Sequence, residues 1–259
     1  MLASRVATHE PERGRAIGVH LGRACSIAPL GTQPVLPDNL PMKTVAIVNN
    51  KGGVGRTTAA VHVAHRAAEL GIRTTAVSLC RQGDLSRWLA PGRAPTSSGE
   101  RVRVSEFLDV MHSPDKVPVV EASSLVVYDC PPGFDERWLA GARAPDLWLV
   151  PTAATRVELE GLVAMLPHLA AAGSPIWCVL NAQRIDAAKA LHGLREVASK
   201  VPNVRVSDHV IPECASIVDA EHMQLPVWEV PNRARSAAGL ALTGLCDELF
   251  AYFDLATTH

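Results

Sequence analysis

The stretch Asn50-Lys51-Gly52-Gly53-Val54-Gly55-Arg56-Thr57-Thr58 narrows the possible folds more than any other part of the chain. Before it, Thr44-Val45-Ala46-Ile47-Val48 is a short apolar run rich in β-formers. After it, Thr57 to Leu70 has helical periodicity. Ala60, Val61, Ala64, Ala67 and Ala68 cover most of the helix, His62, His65, Arg66 and Glu69 share one face, and Gly71 is a stop signal. Glycines that join a buried strand to a buried helix let backbone N–H groups turn inward around an anion, and the helix N-terminus adds partial positive charge. The usual phosphate-loop pattern is G-x-x-x-x-G-K-[ST]. Here Asn50 stands at the first glycine, Gly55 supplies the second, Arg56 replaces the lysine, and Thr57 offers a hydroxyl suited to a Mg²⁺ ion bridging phosphates. The alternative is a glycine-rich strand–helix turn that binds nothing.

From Met42 onward, apolar strands alternate with helical segments. This pattern predicts an α/β fold, a mostly parallel twisted sheet with helices on both faces. Strands are expected at 44–49, 74–79, 125–129, 146–150, 176–181 and 204–211, and residues 91–104, rich in Pro, Gly, Ser and Arg, are expected to form a surface loop. The phosphate loop, Asp129 and Asn181 then fall at strand C-terminal ends, where open α/β sheets bind ligands. Asp129 closes the apolar run Leu125–Tyr128. A carboxylate there suits Mg²⁺ near Thr57; the alternative is an N-cap for the next turn. Pro131-Pro132-Gly133 makes a stiff turn with one hinge, a device suited to a segment that changes state with its ligand.

The run Lys51-Gly52-Gly53-Val54-Gly55-Arg56-Thr57-Thr58 resembles the deviant Walker motif of the ParA/MinD family of P-loop ATPases. Leu125 to Gly133 resembles that family's Walker B strand and switch II, Ala144 to Thr152 its next strand, and Glu158 to Leu162 the start of the following helix. Val179-Leu180-Asn181 resembles the strand ending in the adenine-contacting Asn, and Ile211-Pro212 through Val227 the segment closing over the base. The likeness runs in order over about Met42 to Tyr252. It implies a dimer formed on ATP binding, with ATP or ADP and Mg²⁺ as ligands. Lys51, Gly52, Gly53, Val54, Gly55, Arg56, Thr57, Thr58, Asn181 and Pro212 are the implied nucleotide-binding residues, Thr57 and Asp129 the implied metal residues, and Lys51, Arg56 and Asp129 the implied catalytic residues. Lys51 would reach the phosphates bound by the other subunit. The resemblance also implies nonspecific DNA binding and resetting by a ParB-like centromere-binding partner.

The chain departs from that pattern at two places besides Asn50. Arg56 keeps the lysine's charge but spreads it over a bulkier planar fork. The family's second strand ends in a D-x-D-P-Q type sequence, whereas Ser78 and Cys80 stand at the two aspartate positions here. The second aspartate is the one expected to position the attacking water, and a thiol is a weak hydrogen-bonding group. Its loss is worth on the order of 10²–10⁴-fold in rate; Asp84, four residues on, is a candidate substitute. Two functions follow: a partition-type switch with weak or partner-stimulated hydrolysis, or a non-hydrolysing nucleotide- or DNA-binding regulatory module.

Acidic and basic residues nearly balance, 26 against 25, so no global basic field exists and DNA binding would need a local patch or a dimer. Arg184, Lys189, Arg195, Lys200, Arg205, Arg233 and Arg235 are candidates for such a patch, against the alternative of an ordinary solvated surface. The six cysteines form no C-x-x-C pair, which predicts reduced, mostly buried thiols and a cytoplasmic chain. The last helix, about Ser236 to Phe253, carries Asp247 and Glu248 and no Lys or Arg, so it is expected to pack on the sheet and not to anchor on a membrane. The tryptophans are expected in the core or at interfaces. Residues 1–41 are expected to be a disordered Pro- and Gly-containing extension, with Met42 a natural start for the domain over 42–259.

Overall fold

The computed structural model describes residues 41–133, 144–153, 155–183 and 186–255. The chain divides into two units, 1–33 and 34–259, and every described residue lies in the second. Apart from Pro41, the expected extension lies outside the described residues, as do Trp138 and Arg184.

The elements are β1 (Lys43–Ile47), α1 (Arg56–Glu69), β2 (Thr74–Ser78), α2 (Asp84–Leu89), β3 (Arg101–Arg103), β4 (Leu108–His112), β5 (Leu125–Asp129), β6 (Leu147–Thr152), α3 (Arg156–Ala171), β7 (Ile176–Gln183), α4 (Ala187–Ala198), β8 (Val204–Pro212), α5 (Ala215–Met223) and α6 (Ala237–Tyr252). They build one eight-stranded sheet in the order β3-β4-β2-β5-β1-β6-β7-β8. Every pairing is parallel except β3 with β4. The expected fold class is therefore the observed one.

Both faces are covered, which is why the central strands read as unbroken apolar runs. Successive side chains point to opposite faces. Val45 and Ile47 join a core with α1, α2 and α6, whereas Ala46 and Val48 join a second core with α3 and α4. α6 buries Leu242, Leu245, Leu249 and Phe250 against the first of these, as its acidic composition led us to expect. Trp88, Trp148 and Trp177 are buried, and so are Cys130, Cys178 and Cys246. Among the described residues no helix is long and apolar enough to cross a membrane.

The expected surface loop at 91–104 is corrected. Its end is the edge strand β3, and β4, which the sequence reading missed, pairs with it. Alternating arginines disguise β3 as a loop. In the fold, the buried Asp109 accepts hydrogen bonds from Nε of both Arg101 and Arg103, and Val102 packs inward between them.

α3 also departs from its sequence signal. It continues through Pro167, a residue that costs a helix interior about 3 kcal/mol. The capping box of Thr155 and Glu158 starts the helix. Burial of Leu162, Met165, Leu166 and Leu169 offsets the proline at about 1.5–3 kcal/mol for each side chain.

Candidate functional site

The glycine loop leaves the C-terminal end of β1. At that point the strand order reverses: β5 and β2 lie on one side of β1 and β6 on the other. This is the topological switch point at which open α/β sheets take ligands. Gly53 and Gly55 have φ of +75° and +87°, values at which a side chain is strained, and Gly55 caps α1. Polar contacts hold the loop from three sides. Asn49 Nδ2 donates to the Pro151 carbonyl at 2.8 Å, while Asn49 Oδ1 accepts the Lys51 N–H at 2.9 Å. Gly133 N–H donates to the Asn50 carbonyl at 3.1 Å, which ties the turn after β5 to the loop. Asn181, buried in β7, donates its amide to the Val54 carbonyl at 2.7 Å.

Beside the loop opens a cleft of about 800 Å³. Gly52, Gly53, Gly55, Arg56, Thr57 and Thr58 form one wall, Cys80, Gln82 and Asp84 with α2 the second, and Glu221, His222 and Gln224 at the end of α5 the third. At its base, Thr57 Oγ1 donates to Asp129 Oδ2 at 2.9 Å. The other oxygen, Oδ1, is buried without a hydrogen-bond partner. Burial pushes the Asp129 carboxyl up to about 7 against the opposing Thr57 hydrogen bond and the nearby Arg56 charge. A hydroxyl and a half-satisfied carboxylate next to an anion-binding loop match the hard oxygen donors that Mg²⁺ takes. No group of three or more His, Cys, Asp or Glu gathers among the described residues, so a cation here would lean on phosphate and water as well.

Arg56 is buried and its guanidinium donates to the Asn49 carbonyl, inside the curl of the loop. Cys80 turns its thiol to the Asp129 carbonyl at 3.8 Å. Burial, then the charge of Asp129, push that thiol up to about 12, so it is neutral at physiological pH. Lys51 is half exposed and pairs with Glu158 Oε1 at 3.0 Å. Asn181 and Pro212 do not line the cleft, and the Asn181 amide nitrogen is engaged by the loop itself.

Sequence reasoning missed the contact that joins the loop helix to the far wall. His62 is fully buried on α1, with Nδ1 2.6 Å from the Thr58 carbonyl. Its Nε2 accepts the Val227 N–H at 3.0 Å, which fixes a neutral ring with the proton on Nδ1. Edge contacts to Trp88 and Trp228 box it in. Burial holds its pKa down at about 4 against an ordinary 6.5. The unfolded chain therefore binds the proton more readily. Stability from this group is complete above pH 6.5 and is lost as pH falls toward 4, by about 3 kcal/mol at 1.36 kcal/mol per unit. Urea unfolding at pH 7 and pH 4 is expected to show this loss, and a His62→Gln variant is expected to show a flatter slope with a lower stability at pH 7.

A family model described as an AAA domain matches residues 42–101. The chain is 32% identical over 128 residues to "Maintenance of carboxysome distribution protein A" of Gloeobacter kilaueensis, covering 49% of this chain and 56% of that protein. It is 29% identical over 153 residues to "Chromosome-partitioning ATPase Soj" of Thermus thermophilus, covering 49% of this chain and 61% of that protein. The matches thus span little more than half the length of these relatives. Among solved structures, the septum site-determining protein MinD of Pyrococcus horikoshii, complexed with Mg-ADP, superposes with a TM-score of 0.66 at 18% identity, over 84% of this chain and all of that one.

Over these stretches the chain is similar to partition-type ATPases, and it has the fold of MinD.

Against the ParA/MinD pattern that its sequence resembles, the chain keeps the signature lysine, Lys51, and the pair Thr57 and Asp129, but carries a neutral thiol and a buried guanidinium where that pattern has a carboxylate and an ammonium. Four of its late basic residues sit in ion pairs at the surface. Arg195 pairs with Asp208, Lys200 with Glu196, Arg205 with Glu248 and Arg233 with Asp219.

Proposed function

We propose that this chain is a ParA/MinD-type protein, a nucleotide-gated dimeric switch of the partition type, which binds ATP or ADP with Mg²⁺ and hydrolyses ATP slowly. One observation carries the reading: the Thr57 hydroxyl sits on a buried Asp129 carboxylate whose second oxygen is unpartnered, at the foot of a loop held open by left-handed glycines. The relatives' names support it, since one is a chromosome-partitioning ATPase and another was solved with Mg-ADP. Mg²⁺ would be held by Thr57 directly and by Asp129 through water, and it would supply charge neutralisation at the phosphates.

The chain's own residues do the rest. Backbone N–H groups of Gly52 to Thr57 would take the phosphates, and Arg56 would add cationic charge from within the loop. Lys51 is free to leave Glu158 for the phosphates of a second subunit, because an exposed pair of this kind is worth about 0–1 kcal/mol. Resetting by a ParB-like centromere-binding partner belongs to the same proposal. Nonspecific DNA binding belongs to it through the dimer, because acidic and basic residues nearly balance in the single chain, 26 against 25, and pairing two copies doubles any local basic patch.

Calorimetry with ATP in Mg²⁺ is expected to give micromolar affinity, and no affinity at millimolar nucleotide would sink the proposal. Lys51→Ala is expected to keep nucleotide binding while losing ATP-dependent dimerisation and turnover. A non-hydrolysing regulator is the second reading, favoured by the neutral Cys80 thiol and the inward-turned Arg56. The double change Cys80→Asp with Arg56→Lys separates the two. Phosphate release is expected to rise, because a carboxylate at position 80 and an ammonium at position 56 restore the pattern that the sequence resembles, and no rise would remove these two residues as the cause of slow turnover.

A further inference from the structure

The cleft that holds Thr57 and Cys80 contains one more carboxylate. Gly83, at φ +68°, turns the chain sharply behind Cys80. The turn starts α2 at Asp84 and puts that side chain on the cleft wall. Asp84 lines the same cleft as Thr57, at the loop's helix end, and as Cys80. Its only ion-pair partner among the described residues is Arg87, one turn on along α2, and both side chains are at least half exposed. Such a pair fixes the resting position of the carboxylate but contributes about 0–1 kcal/mol, so releasing it toward a bound phosphate costs little. Cys80, by contrast, directs its thiol to the Asp129 carbonyl, and a thiol is a weak hydrogen-bonding group.

We propose that Asp84, displaced by four residues from the family's usual position, is the carboxylate that orients the attacking water in this chain. The assignment rests on the nucleotide-switch reading above. In the step it assists, the water oxygen bonds to the γ-phosphorus of ATP as the bond from that phosphorus to the bridging oxygen breaks. The bridging oxygen leaves with the electron pair on ADP. The water's proton passes to Asp84 and from it to solvent.

The test compares the 259-residue chain with Asp84→Asn, Asp84→Glu and Glu196→Gln, by phosphate release under saturating Mg-ATP and by calorimetric nucleotide affinity. Asp84→Asn is expected to lower kcat by on the order of 10²-fold, with nucleotide Kd changed by no more than about twofold. Asp84→Glu is expected to recover part of the rate, and Cys80→Asp introduced into Asp84→Asn is expected to restore it from the family's own position. Glu196 is an exposed carboxylate on α4, away from the cleft lining, and Glu196→Gln is expected to leave kcat unchanged. Turnover that survives Asp84→Asn, or that falls equally in Glu196→Gln, overturns the assignment alone. Turnover absent from the wild-type chain while nucleotide binds overturns the assignment and the slow-hydrolysis reading together, in favour of the non-hydrolysing regulator. Failure of the wild-type chain to bind nucleotide overturns the switch reading and this assignment with it.

Discussion

Asp129→Asn is expected to abolish the contribution of Mg²⁺ to nucleotide affinity and, at the same time, to make the ligand-free chain more stable at neutral pH relative to acid. Both effects have one cause. Asp129 is fully buried and has one partnered and one unpartnered oxygen. Burial raises its pKa from 3.8 to about 7. The folded chain therefore holds the proton more tightly than the unfolded one, and stability from this group is complete below pH 3.8 and lost as pH rises through 7. The shift is about three units, or up to ~4 kcal/mol. An asparagine has no charge to desolvate. The stability difference between variant and wild type should move in the variant's favour by up to that amount between pH 4 and pH 7, as measured by urea unfolding. A cation supplies the charge that the buried carboxylate lacks, so the wild type should gain on the order of 10–100-fold in nucleotide affinity from Mg²⁺ and the variant should gain almost none. A variant that still responds fully to Mg²⁺ would remove Asp129 from the metal site. A variant with an unchanged pH slope would show that the carboxyl is solvated.

Gly55→Ala is expected to cost about 3–5 kcal/mol of stability, adding the strain of a left-handed alanine to the displacement of a buried, hydrogen-bonded amide. A Cβ on Gly55 would lie 1.9 Å from Asn181 Nδ2, and its φ is +87°. Asn181 cannot simply swing aside, because it is buried and donates to the Val54 carbonyl at 2.7 Å. Combining the change with Asn181→Ala removes the collision but keeps the backbone strain. The double variant should therefore be less destabilised than the sum of the single variants, by about 1–3 kcal/mol in a double-mutant cycle. Additive costs would mean that Asn181 does not support the loop.

Much of this molecule was legible in the chain. Strand, glycine loop and helix near residue 50 announced themselves through local chemistry, and so did the strands β2, β5, β6, β7 and β8. The central β5 and β6 are buried on both faces, which writes them into the sequence as apolar stretches, whereas β8 at the sheet edge mixes Val and Ile with Arg205, Asp208 and His209. β3 was not legible, because an edge strand of three residues carries arginines that find their partner, Asp109, only across the hairpin. His62 read as part of a polar helix face, and the backbone N–H that makes it a buried neutral ring comes from Val227, 165 residues away. The wall formed by Glu221, His222 and Gln224 is of the same kind, since nothing local to α5 marks those side chains as facing a phosphate loop.

By itself the sequence determined the fold class, the loop and the residue types that a phosphate and a hard cation would meet, because each depends on neighbours in the chain or on simple periodicity. Tertiary structure alone decided the states of those residues. It left Asp129 half-satisfied and hard to ionise, made Cys80 a neutral thiol, turned Arg56 into the loop, drew Asn181 beneath it and brought Asp84 to the same cleft. Charge, protonation and reach are set by which groups surround a side chain and how much water they exclude, and strands distant in sequence supply those surroundings.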